Sequence, residues 1–533
     1  MGEQYGPSDL SHSSDRPIHP RWGLVRRGLS ATVKTVRLKS IALLASAALA
    51  AAAMLVGPSV NADDAARPRQ PAKPNVLLIV MDDMRSDDLD WMRTVQRRIA
   101  ARGTSYENFY APTSLCCPSR ASMLRGQYPH NTGVLTNAQP DGGWQGFQPS
   151  ESTTLATVLD PTYRTGHVGK YLNGYRGRTQ TYVPPGWDDW KTAVRTYHYL
   201  KVVTNNNGVV QRNHGVNSPT LFGAQAARFL KRSRRSADPF FLTLSFVTPH
   251  NGKPRGDGDS GITTPYVPGP DRGTYRGPRP AANPAYNEAD ISDKTGPVAD
   301  LEPLTQQQKF KQVIRNAQRR ESLASADRAV RRVLDTLRDT RQDADTYVIF
   351  LSDNGYLLGE HRLPGKKGLP YEPASRLPLL ISGPGVPSGN TWTSATGMHD
   401  IAPTILDMTG TPSSFPMDGQ SVLASAGRPD GNPDRAVLLE QADLPIDAEN
   451  DGAIRYAPPR AVEDVTWKYR GIVSDGWKLI SWDKRESYEL YDLESDPYEL
   501  TNVYGQSGSA DVQLALQDRL DRLWLCRADA CAG

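Results

Sequence analysis

Apolar positions along this chain fall into two spacings. Val76 to Val80 is an uninterrupted apolar run, the pattern of a strand buried on both faces, and it ends in Met81, Asp82 and Asp83. The same design recurs in "PFFLTLSFVTPH", which closes on His250, and in "DTYVIFLSDNG", which closes on Asp353 and Asn354. Between these runs the spacing becomes helical, in "MRTVQRRIAARG" and over Leu304 to Leu337, where Leu323, Ala326, Val330, Val333 and Leu337 share one face. Strands alternating with helices predict an α/β fold: a large domain with a mixed, mostly parallel central sheet flanked by helices. After about Pro433 the pattern changes to short alternating runs, "YRGIVSDGWKLISW" and "SYELYDLESDPYELTNV", then "VQLALQDRLDRLWL". These predict a smaller C-terminal domain with an antiparallel sheet and a helix. The Pro-, Gly- and Asp-rich stretch 252–295 reads as a long loop over the site.

In such sheets ligands bind beyond the carboxyl ends of the strands. Asp82, Asp83, His250, Asp353 and Asn354 all fall at expected strand ends, so residues far apart in sequence are expected to meet at one edge. Three carboxylates and an amide oxygen are hard donors that suit Ca²⁺ or Mg²⁺. An Asp pair at one strand end is an ordinary helix cap or turn; two pairs at equivalent ends favour a metal.

The N-terminus departs from this pattern. Arg21, Arg26, Arg27, Lys34, Arg37 and Lys39 precede the uncharged run "SIALLASAALAAAAMLVGPSV", and Val60-Asn61-Ala62 is a small-residue cleavage pattern. Residues 1–62 therefore read as a secretory signal peptide, and 63–73 as a linker. A membrane anchor is the alternative; the Ala-rich run and Gly57-Pro58 favour cleavage. The expected location is secreted or cell-surface. The chain has 62 basic and 58 acidic residues, and loss of the leader's 7 basic and 3 acidic ones leaves 55 of each. That balance gives no support for a nucleic-acid partner. Export also makes a small disulfide loop between Cys526 and Cys531 reasonable. Cys116 and Cys117 could bond only each other, as a strained vicinal disulfide. A thiol beside a hard cation is a mismatch in softness, and an oxygen at that position would fit better.

Cys116-Cys117-Pro118-Ser119-Arg120 followed by "ASMLRG" resembles the sulfatase signature C-x-P-S-R-x-x-x-L-x-G. The resemblance covers most of the chain beyond the leader and implies that 74–432 is a catalytic sulfatase domain and 433–533 a C-terminal subdomain. "YRTGHVGKYLNGY" is similar to the segment carrying an active-site lysine, here Lys170, and "FVTPH" to that carrying a histidine, here His250. "LSDNGYLLGEHRLPGKKGLPYEPASRLPLL" looks like the second metal-binding segment and a lysine, Lys367 with Lys366 close behind. "LCCPSR", "YPHNTGV" and "GKYLN" most resemble the N-acetylglucosamine-6-sulfatase-like group.

In that family the first signature cysteine is oxidised to formylglycine (3-oxoalanine) by a formylglycine-generating enzyme. The resemblance thus implies Cys116 as the converted residue, joining Asp82, Asp83, Asp353 and Asn354 around Ca²⁺, with Mg²⁺ as the alternative. It implies Lys170 and Lys367 on the sulfate oxygens, Arg120 on residue 116, and His250 on the bridging oxygen or on residue 116. One departure stands out. Many members carry histidine two positions after the lysine, where this chain has Leu172 and then Asn173; His130 is the candidate for part of that space. The implied activity is hydrolysis of sulfate esters, on a sulfated small molecule or glycan. Phosphonate or phosphate ester hydrolysis, and a non-catalytic glycan-binding role, are the competing readings.

Overall fold

The computed structural model describes residues 73–175, 180–254, 259, 261–425, 427–432, 434–444, 465–482 and 486–531. The expected signal peptide, and the linker up to residue 72, lie outside the described residues.

Seventeen strands are present among them. The first eight are β1 (Asn75–Asp82), β2 (Gly103–Tyr110), β3 (Arg164–Gly169), β4 (Asp189–Ala193), β5 (Lys201–Asn206), β6 (Val209–His214), β7 (Phe240–Pro249) and β8 (Thr346–Ser352). A two-stranded ribbon follows, β9 (Leu357–Leu358) with β10 (Pro364–Lys366), then β11 (Arg376–Ser382), β12 (Asn390–Trp392) and β13 (Thr396–Gly397). The large sheet runs β12-β2-β11-β8-β1-β7-β3-β4-β5-β6, with β13 also beside β2. Its centre, β8-β1-β7-β3-β4, is parallel, while β11, β5 and β6 run against their neighbours. This is the mixed, mostly parallel sheet expected from the apolar runs.

The sheet is covered on both faces, and the side-chain alternation of a strand shows it directly. Val76, Leu78 and Val80 of β1 enter one core with Ala121 and Leu124 of the helix Cys116–Arg125 and Ile401 and Ile405 of the helix Ile401–Thr409. Leu77, Ile79 and Met81 enter the other core with Phe222 and Phe229 of the helix Ser218–Ser233 and Leu323 and Val330 of the helix Gln306–Asp339. The long helix begins in a capping box. The Thr305 hydroxyl accepts from the Gln308 amide at 3.2 Å, and the Gln308 side chain accepts from the Thr305 amide at 2.8 Å. All five residues of its expected apolar face are buried.

The C-terminal strands β14 (Ala436–Ala442), β15 (Trp467–Ser474), β16 (Trp477–Trp482) and β17 (Ser487–Asp492) form an antiparallel sheet in that order. Leu516, Leu520 and Leu523 of the helix Ala510–Leu523, spaced on one face, close it from one side. A disulfide joins Cys526 and Cys531 just beyond that helix. The described part of 252–295 is loop with two short 3₁₀ turns, but its second half docks on this sheet. Ile291 packs with Trp482 and Tyr491, and Thr295 donates its amide and hydroxyl to Glu489.

The join between the two sheets holds a buried charge cluster. Lys478 of β16 donates to Glu372 and Glu499, both at 2.8 Å, and to the Pro370 carbonyl at 2.9 Å, with no exposed surface. Lys478→Met is expected to lower stability by about 3–5 kcal/mol, because it strands two buried carboxylates of like charge. Urea or thermal unfolding measures this; a loss below about 1 kcal/mol would show that the cluster does not hold the two sheets together.

Candidate active site

Four adjacent parallel strands end at the same edge, and the polar residues follow immediately. Asp82 is the last residue of β1 and Asp83 the next; Lys170 follows β3, His250 follows β7, and Asp353 and Asn354 follow β8. Two further pieces complete the cluster. The helix Cys116–Arg125 presents its first residue there, and Lys367 comes from just beyond β10. Pro118 lies in the first turn of the helix, where a missing N–H costs nothing. The helix stops at Gly126, whose φ of 64° suits a left-handed C-terminal cap.

The contacts form a closed network. Lys170 Nζ donates to Asp82 Oδ2 at 2.8 Å, and Lys367 Nζ to Asp83 Oδ1 at 2.7 Å and to Cys116 Sγ at 3.1 Å. The Cys116 thiol lies 3.6 Å from Asp82 Oδ1. Arg120 donates through Nε to Asp353 Oδ2 and through Nη1 to Ser245 Oγ, both at 2.7 Å, and also to the Lys170 carbonyl at 3.1 Å. Asn354 Nδ2 donates to Asp83 Oδ1 at 2.7 Å. His250 Nδ1 is 2.7 Å from the Asn251 carbonyl. A carbonyl only accepts, so Nδ1 carries a proton and Nε2, 3.6 Å from Asp83 Oδ2, is the nitrogen free to exchange one.

Asp83 adopts φ of 64°, the left-handed region, which costs a non-glycine residue on the order of 1 kcal/mol. Its backbone is pinned at both ends. The amide donates to Asp353 Oδ1 at 3.1 Å, and the carbonyl accepts from the buried Arg319 of the long helix. The unusual conformation turns the Asp83 carboxylate toward Lys367 and Asn354.

Burial acts on every charge here, and the neighbours decide the direction. It opposes ionisation of Asp82 and Asp83, yet Lys170 beside the first and Lys367 beside the second hold both below the ordinary carboxylate range. Asp353 goes the other way: burial, helped by Asp82 and Asp83, raises it in spite of Arg120. Burial also pushes the Cys116 thiol well up, against the pull of Lys170 and Lys367, and Cys117 up to about 11. An unmodified Cys116 is therefore a neutral thiol at physiological pH and a poor nucleophile.

Do these residues fit a hard divalent cation? Asp83 Oδ2 and Asn354 Oδ1 are buried with no hydrogen-bond partner, an arrangement that is costly unless something positive meets them. Donor atoms of Asp82, Asp83, Cys116 and His250 lie within 4.8 Å of one another. Asp353 spends Oδ2 on Arg120 and Oδ1 on the Asp83 amide, each oxygen keeping a second lone pair. Oxygen donors dominate the set, so the residues fit Ca²⁺ or Mg²⁺.

All the residues singled out from the sequence meet at this edge: Asp82, Asp83, Cys116, Arg120, Lys170, His250, Asp353, Asn354 and Lys367. Lys366 is exposed. His130 lies elsewhere. Its Nδ1 pairs with Glu440 at 2.9 Å and its Nε2 with the Cys526 carbonyl at 3.0 Å, so neither nitrogen is left to replace the missing histidine. Leu172 is in the core, and Asn173 accepts from the Tyr197 hydroxyl at 2.9 Å. Cys117 is a buried acceptor for the Asn173 amide at 3.1 Å.

Three neighbours of the site were not expected: Ser245, Arg319 and Tyr197. Ser245 is a polar residue inside an apolar strand, and Arg319 sits four residues before Leu323 on the apolar face, so both left a signal. Tyr197 left none; its ring stacks on His250 at 4.2 Å between centroids.

The buried edge thus gathers three carboxylates, three cations and the first cysteine of the signature. The Sulfatase family profile matches residues 74–411, and the profile "N-sulphoglucosamine sulphohydrolase, C-terminal" matches 455–525. This chain belongs to the sulfatase family, whose enzyme class, sulfuric ester hydrolase, is the one expected from the sequence. It is 33% identical over 365 residues to the extracellular sulfatase SULF-1 homolog of Drosophila melanogaster, matching 66% of this chain and 31% of that one. The chain thus spans about a third of that relative's length. It is 28% identical over 496 residues to N-acetylglucosamine-6-sulfatase of Homo sapiens, covering 86% of each. A solved structure of a protein in complex with its substrate, D-glucosamine-2-N,6-O-disulfate, shares the fold with a TM-score of 0.63 at 21% identity, over 84% of this chain and 97% of that one.

Proposed function

We propose that this chain is an exported sulfatase that cleaves sulfate esters of sugars to alcohol and inorganic sulfate, using a formylglycine made from Cys116 and one divalent cation. The observation that carries the reading is the charge balance at the sheet edge. Asp82, Asp83 and Asp353 face Lys170, Lys367 and Arg120, three against three, with two buried oxygens unpartnered. A divalent cation held by Asp82, Asp83, Asp353, Asn354 and residue 116 makes the site net positive, as an anionic sulfate ester requires. When bound, the cation supplies Lewis acidity and lowers the pKa of an oxygen at position 116. Formylglycine supplies an oxygen nucleophile with a built-in exit, which the buried neutral thiol does not.

The chain's own groups supply the rest. Lys170 and Lys367 already lie against the carboxylates on either side of Cys116, where their ammonium groups can meet sulfate oxygens. Arg120 Nη2 is buried without a partner and is available to hold the oxygen at residue 116. His250, its Nδ1 proton fixed on Asn251, can give a proton from Nε2 to the bridging oxygen only as the imidazolium, which burial opposes and Asp83 and Asp82 favour. The catalytic domain is 74–432 and the C-terminal subdomain 433–533. No described helix is long and apolar enough to cross a membrane. The relative called extracellular, together with the leader-like N-terminus, supports export. A formylglycine-generating enzyme is the required partner during synthesis.

The test is sulfate release from 4-nitrophenyl sulfate and from 6-sulfated amino sugars, by protein made together with that enzyme, with and without chelator. Release that chelator abolishes, and faster cleavage of sulfate than of phosphate or phosphonate esters, is expected. Faster phosphonate cleavage, or glycan binding with no release, would overturn the reading.

A further inference from the structure

His250 is tied at one ring nitrogen only. Nδ1 meets the Asn251 carbonyl at 2.7 Å, while Nε2 stands 3.6 Å from Asp83 Oδ2, too far for a hydrogen bond. One bond to the next residue fixes the tautomer but leaves the imidazole free to tilt about that bond. An aromatic ring removes this freedom. Tyr197 lies face to face with the imidazole, centroids 4.2 Å apart and planes 19° from parallel. Lys170 Nζ lies 5.3 Å from the centroid of the same ring, within cation–π range. One side chain therefore touches both a lysine and the histidine of the proposed chemistry.

The tyrosine is itself anchored on three sides. Its hydroxyl donates to Asn173 Oδ1 at 2.9 Å, and its carbonyl accepts from the Lys253 amide at 2.8 Å. Two residues on, the Tyr199 hydroxyl donates to the His250 carbonyl at 2.7 Å and ties the same turn to the histidine's own backbone. Asn173 is fixed in turn: its amide donates to Cys117 Sγ at 3.1 Å, and its carbonyl accepts from the Trp144 amide at 2.7 Å. A line of contacts thus runs from Cys117 through Asn173 and Tyr197 to His250. It passes directly beside Leu172, the position where this chain lacks the histidine of many sulfatases. A half-buried tyrosine on a turn is ordinarily packing alone; here both ends of the side chain are held so that the ring lies on His250.

We infer that Tyr197 is a positioning residue that acts through His250: its ring sets the imidazole plane, so that Nε2 is aimed at the oxygen of the departing alcohol. The inference rests on the sulfatase reading above and deepens it. The hydroxyl is spent on Asn173, so the ring and not the phenol proton carries the role. Proton transfer to a leaving oxygen needs a donor within hydrogen-bond reach and in line. A misplacement of about 1 Å costs on the order of a hundredfold. The need for that proton grows with the basicity of the leaving oxygen: a nitrophenolate departs almost unaided, whereas a phenolate or a sugar alkoxide does not. Loss of the ring is therefore selective by leaving group, and loss of mere packing is not.

The experiment measures kcat/KM of the metal-loaded, modified enzyme on 4-nitrophenyl sulfate and on phenyl sulfate, esters of similar shape whose leaving oxygens differ in basicity. Tyr197→Leu is expected to lower the value for phenyl sulfate by about thirtyfold or more, and that for 4-nitrophenyl sulfate by less than about threefold. Tyr197→Phe keeps the ring and loses only the bond to Asn173, so it should hold both values within about threefold. In a His250→Ala background, Tyr197→Leu should change the ratio of the two esters no further. Losses that are absent or equal on the two esters, failure of phenylalanine to rescue, or a selective loss that persists without His250 would overturn the inference. Should Tyr197→Leu misfold by circular dichroism, Tyr197→Met, which fills similar space without a ring, decides in its place. Wild-type enzyme that releases sulfate from neither ester would overturn the sulfatase reading itself; wild-type release with an unselective variant overturns this inference alone.

Discussion

Asp353→Asn is expected to give a folded protein that purifies without its cation and releases sulfate at a rate lower by on the order of a thousandfold or more. Asparagine keeps the volume and can still accept from the Asp83 amide, which Asp353 Oδ1 now does at 3.1 Å. It removes the charge that faces Arg120 Nε at 2.7 Å and Lys170 at 3.8 Å. The loss therefore falls on the site's electrostatics. Asp353→Ala removes the amide's acceptor as well and leaves Arg120 buried beside a void, so that variant should also lose about 3–5 kcal/mol of stability. Metal content of the purified variants, read with their unfolding curves, separates the two effects. A variant with full activity in the presence of chelator would sink the proposed role of Asp353.

Cys116→Ser should fail to turn over, whereas Cys117→Ala should keep substantial activity. Serine offers one hydroxyl in a place with no exposed surface, with Lys367 beside it and the Asp82 carboxylate near enough to take its proton. It can be sulfated, but it has no second hydroxyl through which the sulfate bond can be broken from within. The expected product is a stalled, sulfated protein, visible as a mass increase on the peptide that holds residue 116. Cys117 differs in its surroundings, not only in its number. Its amide donates to Asn137 Oδ1 at 2.9 Å and its sulfur accepts from the Asn173 amide, so it packs a loop and touches none of the charged groups. Alanine there costs a weak hydrogen bond and some packing, about 1–2 kcal/mol. Rapid turnover by Cys116→Ser, or an aldehyde found at residue 117 after modification, would show the assignment to be wrong.

The strand ends were legible because a strand buried on both faces writes itself as an unbroken apolar run, and the first polar residue after it must lie at the sheet edge. Asp82, His250 and Asp353 could be placed this way with no knowledge of the tertiary structure. Lys170 and Lys367 could not. A lysine after "HVG" or within "GKKG" has no periodicity to locate it, and only resemblance to the sulfatase signature segments raised it above a solvated surface residue. Tyr197 was invisible for a related reason. It reaches His250 through a turn after β4, and the pairing of that turn with Lys253 is a long-range backbone contact that no local pattern encodes. His130 of "QYPHNTGV" was the candidate for part of the space of the histidine missing near Leu172. His130 instead faces Glu440 of β14, a partner 310 residues away.

Under the proposed conversion of Cys116 to formylglycine, its complete burial sets an order of events. Its sulfur sits under Lys367 and against the end of β1, at the start of a helix whose residues from Cys116 to Leu124 are all buried. A modifying enzyme that has to reach Cys116 to Arg120 finds none of them exposed once β8, β10 and the helix have come together. Maturation is thus a race between oxidation and folding, and only a chain caught early can win it. Molecules that fold first are locked as the thiol form, correctly shaped and permanently idle. The specific activity of any preparation then reports how often the modifying enzyme arrived in time, as much as it reports the quality of the fold.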